Sequence, residues 1–329
     1  MTIFKITLVF ASLLLSINVS SHDRYDNLTK TLTIPSLDVG NTSYTNVAIK
    51  LKDYELLTID PTPHVNTTVN LKKITIGDGR IANRPTAGSV WPCQTNFGGG
   101  GAFASGAWIS NDGTYDLTTK PSVDGSIQWP SELSIQIKNG VRTLSGNRLP
   151  SDPTGIFPVG STDDAFAYDR NPNKIQTSTV QINLPLMPQI ASSASCVPFG
   201  EIGILVNGGY FFNALDSLGR DAVAHEIQDA CDGHPEQSGA YHYHSVSTCL
   251  EKQSSRTSHS ALMGYALDGF GIFGHYGENG KELTNADLDE CHGHTHEIDW
   301  DGKRINLYHY HATWEYPYTI GCFRGAPVK

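Results

Sequence analysis

The sequence predicts a mainly β protein: an N-terminal β-sandwich-like region, then a duplicated, disulfide-tied, β-rich histidine-cluster domain with short helices. Three observations predict it. The 329 residues include 32 Gly, 17 Pro and 14 Tyr against 3 Met, and only 17% are charged, the profile of strands and turns rather than helical bundles. Short alternating runs end repeatedly on Gly, Asn or Asp. Eleven of the 13 histidines fall between His225 and His311, in a stretch whose motifs occur twice. The formal charge of −10 excludes a nucleic-acid backbone as partner, which needs a basic face.

Residues 1–21 read as a secretory signal peptide. Lys5 supplies the positive n-region, Ile6 to Val19 the apolar h-region, and Val19 and Ser21 the small-residue cleavage positions. The mature chain is then expected to be extracellular and free of the membrane. Asn27, Asn41 and Asn66 each open an N-x-S/T sequon within 42 residues, so a glycosylated N-terminal surface is expected. All six cysteines (Cys93, Cys196, Cys231, Cys249, Cys291 and Cys322) lie in the mature part; an even count in an oxidising compartment implies three disulfides.

Residues 22–190 carry the β-rich region. Thr67 to Ile76 alternates imperfectly and stops at Gly77-Asp78-Gly79. Leu133 to Lys138, Asn139-Gly140, then Val141 to Leu144 is a hairpin around a type I′ dipeptide. Ser178 to Leu184 alternates again before Pro185. Gly98 to Gly101 lacks the Gly-Lys-Ser/Thr of a phosphate loop and reads as a turn.

Residues 191–329 form the second unit, an internal repeat of about 203–249 and 264–322. Ile204 to Gly208 matches Tyr265 to Gly269, each a strand entering a turn. Tyr210-Phe211-Phe212 matches Phe270-Gly271-Ile272-Phe273. Asp229-Ala230-Cys231-Asp232-Gly233-His234 matches Asp289-Glu290-Cys291-His292-Gly293-His294. Tyr-His-Tyr-His follows at 241–244 and 308–311, and Cys249 and Cys322 close the copies. Short helical stretches precede the cysteines: Asp221 to Ala230 in the first copy and, in the second, a capping box at Thr284 to Asp287.

These residues resemble the YHYH-domain family, named after the tetrapeptide. The resemblance covers at least 196–325 and extends to Trp91-Pro92-Cys93 and Gly113 to Leu117; Asp221 to Glu226 and Tyr265 to Gly271 are similar to the family's segments as well. It implies a secreted or surface context and carries no activity with it.

In a strand, alternate side chains share a face. Each tetrapeptide therefore pairs His242 with His244 and His309 with His311, and sends Tyr241, Tyr243, Tyr308 and Tyr310 to the other face, into the core. Two imidazoles at i and i+2 clamp a transition metal, and His234 or His294, after a flexible Gly, supplies a third ligand. Imidazole suits Zn and Cu among others. His292 and His296, and Asp232 and Glu236 at the matching positions, are also metal-capable. Each copy holds its own ion, or a pseudo-twofold axis brings both pairs to one. Three His plus an open position would activate water, with Glu226 or Glu297 as candidate base. His225-Glu226 lacks the second His of a helical HExxH, since Asp229 stands there. The competing reading of the histidines is half-exposed, hydrogen-bonded polar residues; His259 and His275 have no counterpart in the other copy and are expected at the surface.

The matching positions favour disulfides 231–249 and 291–322, with 93–196 joining the two regions; pairing swapped between copies is the alternative. The function expected is a secreted metal-binding protein, carrying Zn or Cu and with metal-dependent catalysis open. The alternative is an extracellular matrix protein that contacts a polymer or mineral and uses its His clusters structurally. A carbohydrate-binding β module, hinted at by Trp91, Trp108 and Trp129, is the third reading.

Overall fold

A computed structural model divides the chain into two compact units, 1–67 and 68–329. It describes residues 69–251 and 258–328 in full, and before them only the backbone of some strands. In the first unit Lys5–Phe10 pairs with Leu13–Asn18, and Arg24–Asp26, Thr31–Val39, Thr42–Lys52 and Glu55–Asp60 form an antiparallel meander. The expected signal cleavage positions Val19 and Ser21 and the sequon residues Asn27, Asn41 and Asn66 lie outside the described residues.

The second unit is mainly β. Its first part holds a two-stranded ladder, β1 (Ile74–Thr75) and β2 (Thr114–Tyr115), and a meander of β3 (Leu133–Lys138), β4 (Val141–Gly146) and β5 (Val180–Pro185). The sandwich-like region takes this form among the described residues, with long irregular segments between the strands. The β3–β4 turn is the one read from the sequence: Asn139 and Gly140 have φ of 51° and 77°, the left-handed pair that lets a two-residue loop follow the strand twist. Elsewhere turn-forming side chains bind their own backbone instead of letting it pair. Asp116 Oδ1, for example, accepts from the Thr118 amide at 2.8 Å.

Both repeats enter one eight-stranded sheet. The first copy contributes β6 (Glu201–Leu205), β7 (Tyr210–Phe212), β8 (Gly233–Pro235) and β9 (Tyr241–Tyr243). The second contributes β10 (Leu262–Ala266), β11 (Gly271–Phe273), β12 (Gly293–Trp300) and β13 (Lys303–His311). The order is β8-β9-β7-β6-β10-β11-β13-β12. It is a palindrome, so a pseudo-twofold axis passes between β6 and β10, which pair antiparallel with Ile204 opposite Tyr265. Each copy makes the same parallel pair, Phe211 opposite Tyr243 and Ile272 opposite Tyr310, and the same antiparallel edge, His234 opposite His242 and His294 opposite His309.

One-turn helices sit beside the sheet: α1 (Ala222–His225), capped by Asp221, and α2 (Thr248–Glu251). The expected capping box closes a 3-10 turn at Asn285–Asp287. Cys93–Cys196, Cys231–Cys249 and Cys291–Cys322 are bonded, so each repeat closes on itself and nothing is swapped between copies. No helix among the described residues is long and apolar enough to cross a membrane.

The meander docks on the sheet through Arg142 of β4. Its guanidinium meets Asp301 with Nη1 and Nη2 at 2.9 and 2.8 Å and lies over the rings of Tyr265 and Trp300. Two parallel charge-assisted bonds plus stacking are geometry only arginine makes.

Candidate metal centre

The tyrosines of the two tetrapeptides behave as the alternation demands. All four are buried, and each hydroxyl has a partner. Tyr241 Oη donates to Asp229 Oδ2 at 2.7 Å, Tyr308 Oη to Asp289 Oδ1 at 2.9 Å and Tyr310 Oη to Asp268 Oδ2 at 2.6 Å; Tyr243 Oη accepts from Asn207 Nδ2 at 2.8 Å. Asp229 and Asp289 also accept the amides of Cys231 and Gly233, and of Cys291 and Gly293. The Asp-x-Cys-x-Gly turn is thus held by an Asp that also anchors a tyrosine of the following strand.

The glycine of that turn is required by this packing. A Cβ at Gly233 would stand 2.4 Å from the Tyr241 ring, and one at Gly293 2.4 Å from the Tyr308 hydroxyl. Gly233→Ala is therefore expected to cost about 3 kcal/mol, the upper range for overpacking a tight site. Urea unfolding of the variant measures it, and a loss below about 0.5 kcal/mol would contradict the packing described.

The histidines converge on the opposite face, in two clusters. In the first copy His234, His242 and His244 are buried and bring one ring nitrogen each within 4.8 Å of the others. His242 Nδ1–H donates to Ala240 O at 3.3 Å and His244 Nδ1–H to Asn213 O at 2.5 Å. Each neutral ring then presents Nε2 as a lone pair, and these two lone pairs face each other at 3.1 Å. Phe212 stacks on His242 at 4.0 Å and fixes its plane. His234 has no hydrogen-bond partner at either nitrogen. Glu226 Oε2, buried and without a hydrogen bond, lies 3.6 Å from His234 Nε2 and 3.4 Å from His244 Nε2.

A shared proton could also bridge two lone pairs. Burial opposes it: desolvation holds His234 and His242 well below the ordinary imidazole range and lowers His244 to about 4. Burial, then the charges of Asp169 and Asp216, push the Glu226 carboxyl well up.

In the second copy five histidines meet: His259, His294, His296, His309 and His311, again with one nitrogen each within 4.8 Å. Four give Nδ1–H to a backbone carbonyl: His259 to Ser260 at 2.9 Å, His296 to Glu297 at 3.1 Å, His309 to Leu307 at 2.9 Å and His311 to Gly274 at 2.6 Å. Their Nε2 atoms turn inward, and His259 Nε2 is 3.3 Å from that of His309 and 3.1 Å from that of His311. His294 Nε2 and His296 Nε2 are buried without partners. Desolvation lowers His294 to about 4 and His309 to about 2. A ring nitrogen bonded to a carbonyl, with the other facing a common point, is the orientation that metal-ligating histidines take. Nitrogens 2.0–2.1 Å from a tetrahedral ion stand about 3.3 Å apart, the spacing seen here.

The palindromic sheet decides between one shared site and two. Five strand spacings of ~4.8 Å separate β9 from β13, about 24 Å in all, so each copy has its own cluster. All six histidines expected to bind metal are brought together in threes. Glu226 stands at the first cluster; Glu297 lies elsewhere, paired at the surface with Arg304. His259, expected at the surface, completes the second cluster from the segment joining the copies, and His296 joins because β12 runs on past His294. In the first copy Pro235 ends β8, and Glu236 turns to accept the amides of Ser238 and Ala240.

Three other metal-capable residues serve the fold. Asp232 and His292 hold left-handed turn positions, with φ of 69° and 77°. Asp232 accepts from Thr248, and both ring nitrogens of His292 have hydrogen-bond neighbours, at the His311 carbonyl and at Asn285 and Thr313. His275, also expected at the surface, is buried because it pairs with Glu251 at 2.6 Å and stacks on Trp314. Trp108 is buried and donates to Ala224 O, so it offers no sugar platform.

A family model described as YHYH protein matches residues 181–284. The match covers the first tetrapeptide and its cluster and bears out the likeness over 196–284; residues 285–325, with the second tetrapeptide, lie outside it. No curated protein and no solved structure matches the chain.

Proposed function

From a chain that carries a YHYH domain, we propose a secreted metal-binding protein that holds one divalent transition ion, Zn or Cu, in each histidine cluster. The observation that carries this reading is the buried pair of Nε2 lone pairs facing each other at 3.1 Å, in rings whose Nδ1–H is committed to a carbonyl. Without a positive charge between them such an arrangement is repulsive, and the second copy builds it again with other residues. His242, His244 and His234 would hold the first ion, and His309, His311, His294, His296 and His259 the second. A bound ion supplies Lewis acidity and staples the sheet edge to which each cluster belongs. The three disulfides fit an oxidising compartment.

Metal content of the purified chain tests the reading. About two equivalents are expected by elemental analysis, falling to about one in His242→Ala/His244→Ala and to about one in His309→Ala/His311→Ala. A native protein without bound transition metal, or full metal content in both double variants, would overturn it.

A further inference from the structure

The two clusters differ in donor set. The first offers three buried imidazoles within 4.8 Å of one another, with the buried Glu226 carboxyl beside two of them, His234 and His244. Glu226 follows α1 directly, as its C-cap. The glycine turn at 98–101 folds over it: a Cβ on Gly101, whose φ is +73°, would stand 2.7 Å from Glu226 Oε1. A side chain at position 101 would therefore crowd the carboxylate. The other oxygen, Oε2, has no hydrogen-bond partner and points to His234 and His244 at 3.6 and 3.4 Å. That is close to the ~3.3 Å between neighbouring ligands on a tetrahedral ion. A cation among these three histidines would give Oε2 the partner it lacks.

The second cluster has five imidazoles and no carboxylate among its close nitrogens. Three of its rings, those of His259, His294 and His296, are only half-buried. Five donors exceed what a tetrahedral ion accepts. In square-pyramidal or octahedral coordination, adjacent nitrogens at ~2.1 Å lie about 3.0 Å apart and opposite ones about 4.2 Å; a cluster whose members all fall within 4.8 Å accommodates both spacings.

We infer that the duplication has diverged into two sites for different ions: a closed site of three imidazoles and one carboxylate in the first copy, with Glu226 as fourth ligand and Zn(II) as its ion, and a five-imidazole site in the second copy for an ion of higher coordination number such as Ni(II) or Cu(II). This rests on the metal-binding reading above and deepens it. Affinity alone cannot sort these ions, because every nitrogen site ranks them alike; geometry does. Zn(II) has no geometric preference from its d electrons, whereas Ni(II) and Cu(II) favour tetragonal or octahedral surroundings.

The test uses the full chain, stripped with chelator and dialysed against equal concentrations of Zn(II) and Ni(II), with each metal then measured. One equivalent of each is expected. His294→Ala/His296→Ala should reduce bound Ni at least tenfold and leave Zn unchanged. Glu226→Gln, which keeps the shape, should reduce bound Zn at least tenfold and leave Ni unchanged. Two equivalents of a single metal, or Zn unaffected by Glu226→Gln, would overturn the division of ions while leaving metal binding intact. No bound metal of either kind would overturn the metal reading itself.

Discussion

Acidification from pH 6.5 to pH 4 is expected to release the metal and to destabilise the stripped protein by several kcal/mol. The groups responsible are the buried imidazoles. His244 and His292 are lowered to about 4 from an ordinary 6.5, and desolvation is the largest cause in both. Each fall is worth about 3 kcal/mol. A depressed histidine favours the native state above its unfolded pKa, where both states are neutral. As pH falls through 6.5 the unfolded chain takes up protons that the native state refuses, and stability is lost down to the native value near 4. His309, lowered to about 2, extends the same loss further into acid.

Buried carboxyls work in the opposite direction: Asp221 and Asp229, and with them Glu226, Asp169, Asp268 and Asp289, which burial also raises. Burial raises Asp221 and Asp229 from 3.8 to about 6, so the native state gains protons first and stability rises as pH falls from 6 towards 4. Their two gains, each about 3 kcal/mol, offset His244 and His292. Glu226, Asp169, Asp268 and Asp289 stand against His234, His242, His294 and His311; His309 and His259 remain on the imidazole side, and the net sign is loss. Metal adds to it, since every imidazole that binds an ion must be unprotonated. Unfolding free energies in chelator at pH 7, 5.5 and 4, with metal content at each pH, would check this. A stability that is flat or rises towards pH 4 would show that the carboxylates outweigh the imidazoles.

What the sequence reveals and what it hides follow one rule here. Features set by near neighbours are legible. Asn139-Gly140 turns the hairpin, Thr284 to Asp287 caps a turn, and the tetrapeptides split their tyrosines from their histidines because strand geometry leaves no alternative. The repeat also pairs its own cysteines correctly. Features set by where whole strands pair are not legible. Nothing local tells that β6 lies against β10, and so whether the two clusters meet or stand apart. His259 has no counterpart in the first copy and becomes a cluster member only when the joining segment folds back on β13. His292 shows the converse error: its spacing resembles a ligand's, yet its backbone needs a left-handed turn and its ring is used by Asn285, Thr313 and the His311 carbonyl. Residue type pointed to the histidines; only tertiary contact chose which of them cluster.

Asp229→Ala should be the most damaging single substitution on the tyrosine side, at about 5 kcal/mol, a large part of a typical domain's whole stability. Asp229 Oδ2 accepts from the Gly155 amide at 2.8 Å and the Tyr241 hydroxyl at 2.7 Å, and Oδ1 accepts from the Cys231 amide at 2.9 Å. Truncation leaves these three buried donors unpaired, at roughly 1–3 kcal/mol each, and removes the longer contact from the Gly233 amide at 3.4 Å. Asp289, its equivalent, serves Cys291, Gly293 and Tyr308 in the same way, but its side chain is 26% exposed. Water can take over there, so Asp289→Ala should cost about half as much. Asp229→Asn keeps the shape and one acceptor, and the Tyr241 hydroxyl can rotate to accept, but its side-chain Nδ2 then faces the Gly155 amide, so about half of the loss should be recovered. The effect reaches the other face of the strand. His234 directly follows the turn that Asp229 holds, and opposes His242 across β8 and β9, so Asp229→Ala should empty the first cluster of metal and leave the second loaded. Urea unfolding and metal analysis on the three variants would read both effects. An Asp229→Ala protein no less stable than Asp289→Ala, or one that keeps both ions, would mean that the aspartate–tyrosine face does not set the position of the histidines behind it.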